Sequence, residues 1–115
     1  MMIIKRGEVW LVNLDPTIGS EIRKTRPVVV ISSDAIGILP IRLVAPLTEW
    51  KDYLAQNLSH VKVVPDNMNG LSKISAIDTL QLRGVDTQRF IQKIGDISSI
   101  LMRSVVSAVA TVIEY

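Results

Sequence analysis

The sequence predicts a small, mainly β protein in which a strongly bent antiparallel sheet or barrel packs against one C-terminal helix. Ile and Val dominate the apolar residues, and both favour strands. Proline, glycine or asparagine interrupts the apolar segments at short intervals, which is typical of strands joined by turns. Only the C-terminal segment shows an apolar repeat of three and four residues. The length of 115 residues predicts a single domain spanning residues 1–115.

The first two predicted strands flank a loop. Glu8–Leu14 is a strand that ends before Pro16, because proline restricts the residue that precedes it and interrupts pairing. The loop covers residues 18–25. Pro27–Ser32 is an almost unbroken apolar run, which predicts a strand buried on both faces.

A third strand and a long loop follow. Residues 33–40 predict a loop, and Ile41–Leu47 predicts a strand in which Pro46 indicates a bulge or an edge near the end. Residues 48–58 are polar and mixed, so they predict a long loop that begins at Thr48.

Two more strands are predicted around a turn. Ser59–Val64 alternates polar and apolar residues, which predicts a half-buried strand. Pro65–Gly70 predicts a turn, because its last two residues form the Asn-Gly pair that favours hairpins. A further strand is expected over Ser75–Leu82.

The C-terminal part changes period. Asp86 is expected to cap a short helical turn that ends at Phe90, and Ile91–Ile94 is expected to form a short strand. Asp96 or Ser98 can then cap a longer helix. Its apolar stripe comprises Ile97, Ile100, Leu101, Val105, Ala108, Val109, Val112 and Ile113.

Composition excludes several classes of protein. The chain has no cysteine, which excludes a disulfide scaffold, a zinc finger and a thiol nucleophile. A single histidine, His60, excludes any mechanism that needs two imidazoles. The apolar runs are too short to span a membrane, and residues 1–7 lack the apolar region of a signal peptide. We therefore expect a cytoplasmic protein without a membrane partner.

The usual catalytic motifs are missing from the sequence. The carboxylates are scattered and fall in no metal-binding motif, and the sequence contains neither a P-loop nor a GxGxxG motif, so no metal or cofactor is expected. A Ser-His-Asp triad is possible from the residue counts alone. However, no nucleophile-elbow motif is present, and His60 lies in an alternating segment, which favours an ordinary strand residue.

A short basic cluster stands out although the net charge is only +2. Arg23, Lys24 and Arg26 form either a solvated loop or a phosphate-binding surface, and composition does not decide between them. If the second and third strands pair antiparallel, Arg26 at the start of one meets Thr48 at the end of the other. A guanidinium and a hydroxyl at one rim would suit a phosphate, whereas a surface arginine and a capping threonine are equally compatible with the sequence.

Three blocks of the sequence together resemble a known family. They are Arg6–Trp10, Asp15–Glu21 and Thr25–Ser32, and their order and spacing are similar to those of the MazF/PemK (Kid) toxins of bacterial type II toxin–antitoxin modules. Ala45–Thr48 and the segment Leu82–Phe90 are similar to later parts of the same family. The resemblance extends from Ile3 to Tyr115 in total.

The resemblance implies an SH3-like barrel with a C-terminal helix that acts as a homodimer. It implies a sequence-specific, metal-independent endoribonuclease that cleaves single-stranded RNA, chiefly mRNA, and leaves a 2′,3′-cyclic phosphate and a 5′-OH. By the same resemblance, Arg26 and Thr48 are the catalytic residues: Arg26 is expected to stabilise the phosphorane charge and to be a candidate for proton transfer, and Thr48 is expected to hold the phosphate in line. A MazE-like antitoxin with an acidic tail is the implied protein partner.

Further RNA-binding residues are expected on the same basis. The loop 15–24 would flank the RNA, with Arg23 and Lys24 on phosphates and Glu21 either on a base edge or paired with one of these cations. Trp50 and Tyr53 are expected to stack on bases or to pack within the protein.

Gln81 and Asp78 are further residues expected to bind RNA. Gln81 matches a family glutamine that is preceded by an acidic residue in some members, whereas this chain has Leu80 there. Asp78 lies two residues before Leu80 and, in a strand, would share its face, so either Asp78 substitutes for that acid or the role is absent.

Two alternatives to the ribonuclease remain open on the sequence. One is a non-catalytic toxin of the same fold that binds and poisons a topoisomerase such as gyrase. The other is an RNA-binding module that does not cleave. Arg26 and Thr48 favour the nuclease, because a protein that only binds has no need of that pair.

Overall fold

A computed structural model describes residues 2–115 and contains seven strands and one α-helix. Neighbouring strands pair antiparallel in the order β4-β5-β3-β2-β1-β7, and β6 pairs with β3 outside this path. This confirms the predicted mainly β fold with a C-terminal helix. The elements are β1 (Glu8–Asn13), β2 (Thr25–Val30), β3 (Ile41–Glu49), β4 (His60–Val63), β5 (Ser75–Asp78), β6 (Arg83–Asp86), β7 (Phe90–Asp96) and α1 (Ser99–Val112).

Strand β3 is the centre of the sheet. One of its edges pairs with β2, and the other pairs first with β6 along residues 41–44 and then with β5 along residues 47–49. The change of partner occurs around Pro46, whose missing N–H cannot donate a ladder hydrogen bond. The strand nevertheless continues to Glu49, so the expectation that a loop begins at Thr48 is wrong. Pairing with β5 supplies the partner that makes this polar segment extended.

Side chains alternate between two cores on opposite faces of the sheet. Val29 belongs to a core that includes Val105 of α1, whereas its neighbours Val28 and Val30 belong to a second core. This confirms that β2 is buried on both faces. In the second core, the rings of Trp10 and Phe90 meet edge to face with centroids 5.7 Å apart, a favourable aromatic geometry.

Helix α1 begins after Ser98, whose hydroxyl accepts a hydrogen bond from the Leu101 N–H at 3.1 Å. Of the two predicted caps, Ser98 is therefore the one used. The buried seam is narrower than the predicted apolar stripe: Met102 joins it, whereas Ile100 is 73% exposed. No helix among residues 2–115 is long and apolar enough to cross a membrane.

Residues 64–74 join β4 to β5 as a long connection, so the Asn-Gly pair is not the tip of a tight hairpin. Asn69 is 1% exposed, and its side-chain oxygen accepts hydrogen bonds from the Asp66 and Leu71 N–H groups at 3.3 and 3.1 Å. The turn is pressed against β7, where an added Cβ on Gly95 would lie 2.5 Å from the Met68 oxygen.

The last predicted strand is shorter than expected. β5 ends at Asp78, and Thr79–Gln81 forms a 3₁₀ turn. Asp78 causes this ending, because its carboxylate accepts a hydrogen bond from the Leu80 N–H at 3.0 Å and so caps the turn. The capped helical turn after Asp86 is confirmed as the 3₁₀ turn Thr87–Arg89.

Glu8 ties β1 to β7 from a buried position. Burial alone would raise the pKa of Glu8, but hydrogen bonds from the Lys5 backbone N–H, the Trp10 indole N–H and the Lys93 ammonium together lower it. The Lys93 Nζ lies 3.0 Å from the Glu8 carboxylate and 3.2 Å from that of Asp96. These two carboxylates raise the pKa of Lys93.

We expect Gly95→Ala to destabilise the protein by about 1–3 kcal/mol, because the new methyl group has no space against the turn. Gly84→Ala is the matched control in β6, since its Cβ would meet only the Ile41 Cγ2 at 3.3 Å. Denaturant unfolding measures both free energies of unfolding. Equal losses in the two variants would show that the turn is not packed tightly on β7.

Because the pKa of Glu8 is lowered in the folded state, the contribution of Glu8 to the stability of the fold depends on pH. The contribution is present above the ordinary pKa of 4.5 and disappears as the pH falls through the lower pKa of the folded state. Wild type should therefore unfold at a higher temperature than Glu8→Gln near neutrality, and the gap should close in acid. Glu114→Gln, at an exposed C-terminal position, should show no such gap. A gap that stays constant down to strong acid would contradict the pKa assignment.

Candidate functional site

The antiparallel pairing of β2 with β3 determines where Arg26 and Thr48 lie relative to each other. Strands β2 and β3 pair Val28 with Pro46, Val29 with Ala45 and Val30 with Val44. Continuing this register by two residues sets Arg26 opposite Thr48. Arg26 lies two residues before Val28, and Thr48 lies two residues after Pro46. Because side chains in a strand alternate between the faces, both lie on the face that carries the second core. The structure therefore brings the two sequence-predicted residues to the same rim of the sheet.

Arg26 is half-buried, and its guanidinium has no acidic neighbour within residues 2–115. Its Nε donates a hydrogen bond to the Arg23 carbonyl oxygen at 3.3 Å. Among residues 2–115, no carboxylate lies within 4.0 Å of the charged nitrogens of Arg23, Lys24 or Arg26. Three uncompensated cations at the end of a strand attract anions such as phosphates.

Thr48 contributes a half-buried side chain next to this charge. Its hydroxyl makes no hydrogen bond with any other group in residues 2–115, so it is available to a ligand. Its neighbour Leu47 points into the core shared with α1, which fixes the Thr48 side chain on the opposite face. A guanidinium and a free hydroxyl on one face are suited to holding a phosphate group.

A cavity of about 280 Å³ is lined by Pro46, which lies two residues before Thr48 on β3. The loop before β2 forms one wall, and the 3₁₀ turn after β5 forms the other. Its lining residues are Leu14, Glu21, Ile22, Pro46, Leu80, Gln81, Leu82 and Arg83. Of the residues predicted to bind RNA, Glu21 and Gln81 thus line one cavity, whereas Arg26 and Thr48 do not line it.

Gln81 holds the two walls of this cavity together. Its side-chain oxygen accepts a hydrogen bond from the Ile22 N–H at 2.6 Å, and its Nε2 donates to the Ser20 carbonyl oxygen at 3.3 Å. Both partners belong to the loop that carries Glu21, Arg23 and Lys24. Gln81 therefore fixes the position of the basic loop relative to the sheet.

Glu21 is exposed, and its carboxylate accepts a hydrogen bond from the Ile18 N–H at 2.6 Å. The ion pair with Arg23 or Lys24, which the sequence offered as an alternative, does not form among the described residues. One carboxylate oxygen is occupied within the loop, and the group stays accessible from the cavity.

Trp50 follows β3 directly and lies two residues beyond Thr48. Its backbone N–H donates to the Ile74 carbonyl at 3.0 Å, and its indole N–H donates to the Asp52 carboxylate at 3.3 Å. The Lys62 ammonium sits 5.2 Å from the ring centroid. Tyr53, in contrast, is 71% exposed in the following 3₁₀ turn, and its side chain makes no hydrogen bond with another group in residues 2–115.

Asp78 is not placed in the cavity. It is buried, caps the 3₁₀ turn and lies 3.5 Å from the His60 Nε2. The argument that Asp78 and Leu80 share a strand face is wrong, because Leu80 lies in the turn and projects into solvent. Its partner His60 is a half-buried residue of β4, as the alternating pattern predicted.

The sequence arguments missed two cations near the site. Arg83 lines the cavity and donates a hydrogen bond to the Leu14 carbonyl at 3.1 Å. Lys62 was identified only as part of an alternating strand; its place beside Trp50 depends on the pairing of β4 with β5, which composition does not reveal. No group of three His, Asp or Glu side chains in residues 2–115 is arranged to hold a metal ion.

Comparison with known proteins places these features in a family. Residues 5–113 match the model of the PemK-like, MazF-like toxins of type II toxin–antitoxin systems. The endoribonuclease EndoA of Bacillus subtilis (strain 168) is 36% identical over 106 residues, which cover 90% of this chain and 89% of that protein.

Solved structures agree with the fold. MazF from Deinococcus radiodurans superposes with a TM-score of 0.83 at 18% identity and covers 100% of both chains. An endoribonuclease in complex with its cognate antitoxin, from a mycobacterial species, has a TM-score of 0.77 at 15% identity over 97% of this chain and 96% of that chain.

Removing the Gln81 side chain should loosen the basic loop. Gln81→Ala leaves the Ile22 N–H without its acceptor, so we expect the protection of this amide against hydrogen exchange to fall by about 1–3 kcal/mol. Gln88→Ala is the control, because Gln88 is an exposed glutamine outside this cavity. Unchanged hydrogen-exchange protection of the Ile22 amide in Gln81→Ala would show that Gln81 does not hold the basic loop in place.

Proposed function

The chain belongs to the family of PemK-like, MazF-like toxins of type II toxin–antitoxin systems, and we propose that it is a sequence-specific endoribonuclease that cleaves single-stranded RNA, chiefly mRNA. The observation that supports the chemistry is the register of β2 with β3, which, continued by two residues beyond the pair Val28 and Pro46, sets Arg26 opposite Thr48. The endoribonuclease EndoA, which matches along most of this chain, supports the same activity.

The proposed reaction uses a nucleophile that the substrate supplies. The ribose 2′-oxygen attacks the adjacent phosphorus, so the O2′–P bond forms and the P–O5′ bond breaks. The 2′-hydroxyl proton is released to solvent, and the departing 5′-oxygen takes up a proton from solvent. The products are a 2′,3′-cyclic phosphate and a 5′-OH. The protein needs neither its own nucleophile nor a metal for this step, because it has only to align the groups and stabilise the added charge.

Arg26 and Thr48 fit two separate tasks in this reaction. The guanidinium keeps its positive charge at any working pH, so Arg26 is suited to stabilising the phosphorane and poorly suited to accepting a proton. The Thr48 hydroxyl donates to a phosphate oxygen and holds the phosphorus in line with the 2′-oxygen. DNA lacks the 2′-hydroxyl and is therefore not expected to be cleaved.

The surrounding residues are proposed to position the RNA. Arg23 and Lys24 contact flanking phosphates, Glu21 accepts a hydrogen bond from a base edge in the cavity, and Trp50 offers an aromatic surface. Gln81 holds the loop that presents these groups. Asp78, which is buried and paired with His60, supports the turn from below and does not touch RNA in this proposal.

The proposed assembly also follows the family. We propose a cytoplasmic homodimer of a single domain, inhibited by an antitoxin whose acidic segment covers the uncompensated cations around Arg26. The structural neighbour from a mycobacterial species, an endoribonuclease in complex with its cognate antitoxin, supports an antitoxin as the partner.

A cleavage assay with mixed-sequence RNA in EDTA tests the function. Wild type should cut at a few recurring short sequences and leave cyclic-phosphate ends, and Arg26→Ala should lose about 100-fold or more in kcat without losing its fold. Arg103→Ala removes an exposed arginine of α1 and should cleave like wild type. Intact RNA at high protein concentration would favour the topoisomerase poison or the non-cleaving binder, and full activity in Arg26→Ala would move the active site elsewhere.

A further inference from the structure

The row of side chains that contains Arg26 and Thr48 continues across two more strands. Thr48 of β3 pairs with Ala76 of β5, and Ala76 pairs with Lys62 of β4. Directly paired residues in antiparallel strands project from the same face of the sheet. Arg26, Thr48, Ala76 and Lys62 thus lie side by side in one cross-strand row.

Core packing confirms the direction of the Lys62 side chain. Val63 belongs to the core shared with α1, and Val61 packs against that core, so the residue between them projects from the opposite face. Neighbouring strands are about 4.8 Å apart, which places the backbone of Lys62 about 10 Å from that of Thr48. A polynucleotide held at Thr48 would therefore meet Lys62 at a flanking nucleotide and not at the reacting phosphate.

Lys62 differs from the other lysines at this end of the sheet. Lys51 and Lys73 both lie within 4.0 Å of the Glu49 carboxylate, so their charges are partly compensated. Lys62 has no carboxylate within that distance among the described residues. Its ammonium instead lies over the Trp50 ring, which retains the cation near the sheet without neutralising it.

We propose that Lys62 and Trp50 form an additional RNA subsite that binds the phosphate of a nucleotide flanking the cleaved bond. Lys62 contacts the phosphate, and Trp50 is a positioning residue that holds the ammonium next to the row. This proposal rests on the proposed function, since it takes Thr48 as the point where the reacting phosphate is bound.

RNA explains the arrangement better than an acidic peptide does. A phosphodiester backbone carries one charge per nucleotide and is bound by cations spaced along a track, such as Arg26 and Lys62 at the two ends of one row. Thr48, between them, offers an uncharged hydroxyl for the phosphate that reacts.

Binding can be measured apart from cleavage with a fully 2′-O-methylated oligonucleotide of about ten nucleotides, which lacks the nucleophile. Loss of one phosphate contact should reduce the slope of log affinity against log salt by about 0.7, which corresponds to about fivefold weaker binding at about 0.1 M salt. We expect this change in Lys62→Ala, with Lys51→Ala as the matched control that removes a compensated lysine from the same region.

Steady-state cleavage kinetics distinguish binding at this subsite from binding of the reacting phosphate. With a cleavable oligonucleotide, Lys62→Ala should raise KM about fivefold and leave kcat unchanged. With a dinucleotide that contains only the cleaved bond, Lys62→Ala and wild type should have the same kcat/KM. Trp50→Leu should reproduce the KM effect, and Trp50→Phe, which keeps an aromatic face under the ammonium, should largely restore wild-type binding.

Three results would overturn the subsite. Equal salt slopes in Lys62→Ala and wild type would show that Lys62 contacts no phosphate. Equal losses of RNA affinity in Lys62→Ala and Lys51→Ala would show that the loss reflects the total positive charge of the region and not a specific contact of Lys62. If Lys62→Ala binds a poly-glutamate peptide more weakly than wild type does but binds RNA equally well, the surface would be assigned to an acidic protein. Failure of wild type to cleave any RNA would reject the proposed nuclease, whereas the salt slope would still report on Lys62.

Discussion

The pairing of β3 with β2 up to Pro46 and with β5 beyond it determines the geometry of the candidate site. The register with β2, continued by two residues, sets Thr48 level with Arg26, and the register with β5 pairs Thr48 with Ala76. A slip of one residue in either pairing would turn Thr48 into the core and turn Leu47 out to solvent. Burial of Leu47 therefore makes the position of the polar residue beside it a consequence of hydrophobic packing.

Charge compensation differs between two parts of the sheet. Where β1 pairs with β7, the Lys93 ammonium lies close to the carboxylates of Glu8 and Asp96. In the row that contains Thr48, Arg26 and Lys62 have no acidic partner in the described chain. Free cations on a rigid sheet cost stability through mutual repulsion, and they provide a binding surface for a polyanion.

Sequence patterns were sufficient where a local rule governs the structure. Alternation and apolar runs identified most of the strands, and capping residues identified the turn at Asp86 and the helix at Ser98. These patterns failed where pairing between strands that are distant in the sequence determines the conformation. β6 contains Gly84 and has charged residues at both ends, and it is extended because it pairs with the first half of β3. The same dependence hid Lys62, because only the pairing of β4 with β5 places it in the row of Thr48.

The central claim is that Arg26 and Thr48 act on one phosphate as a unit, and a double-mutant cycle on kcat tests it most directly. Groups that serve the same transition state show strongly non-additive losses. We predict that the Arg26→Ala, Thr48→Ala double variant cleaves RNA about as slowly as the slower of the two single variants. Losses that multiply fully in the double variant would show that the two side chains act independently and would contradict the claim.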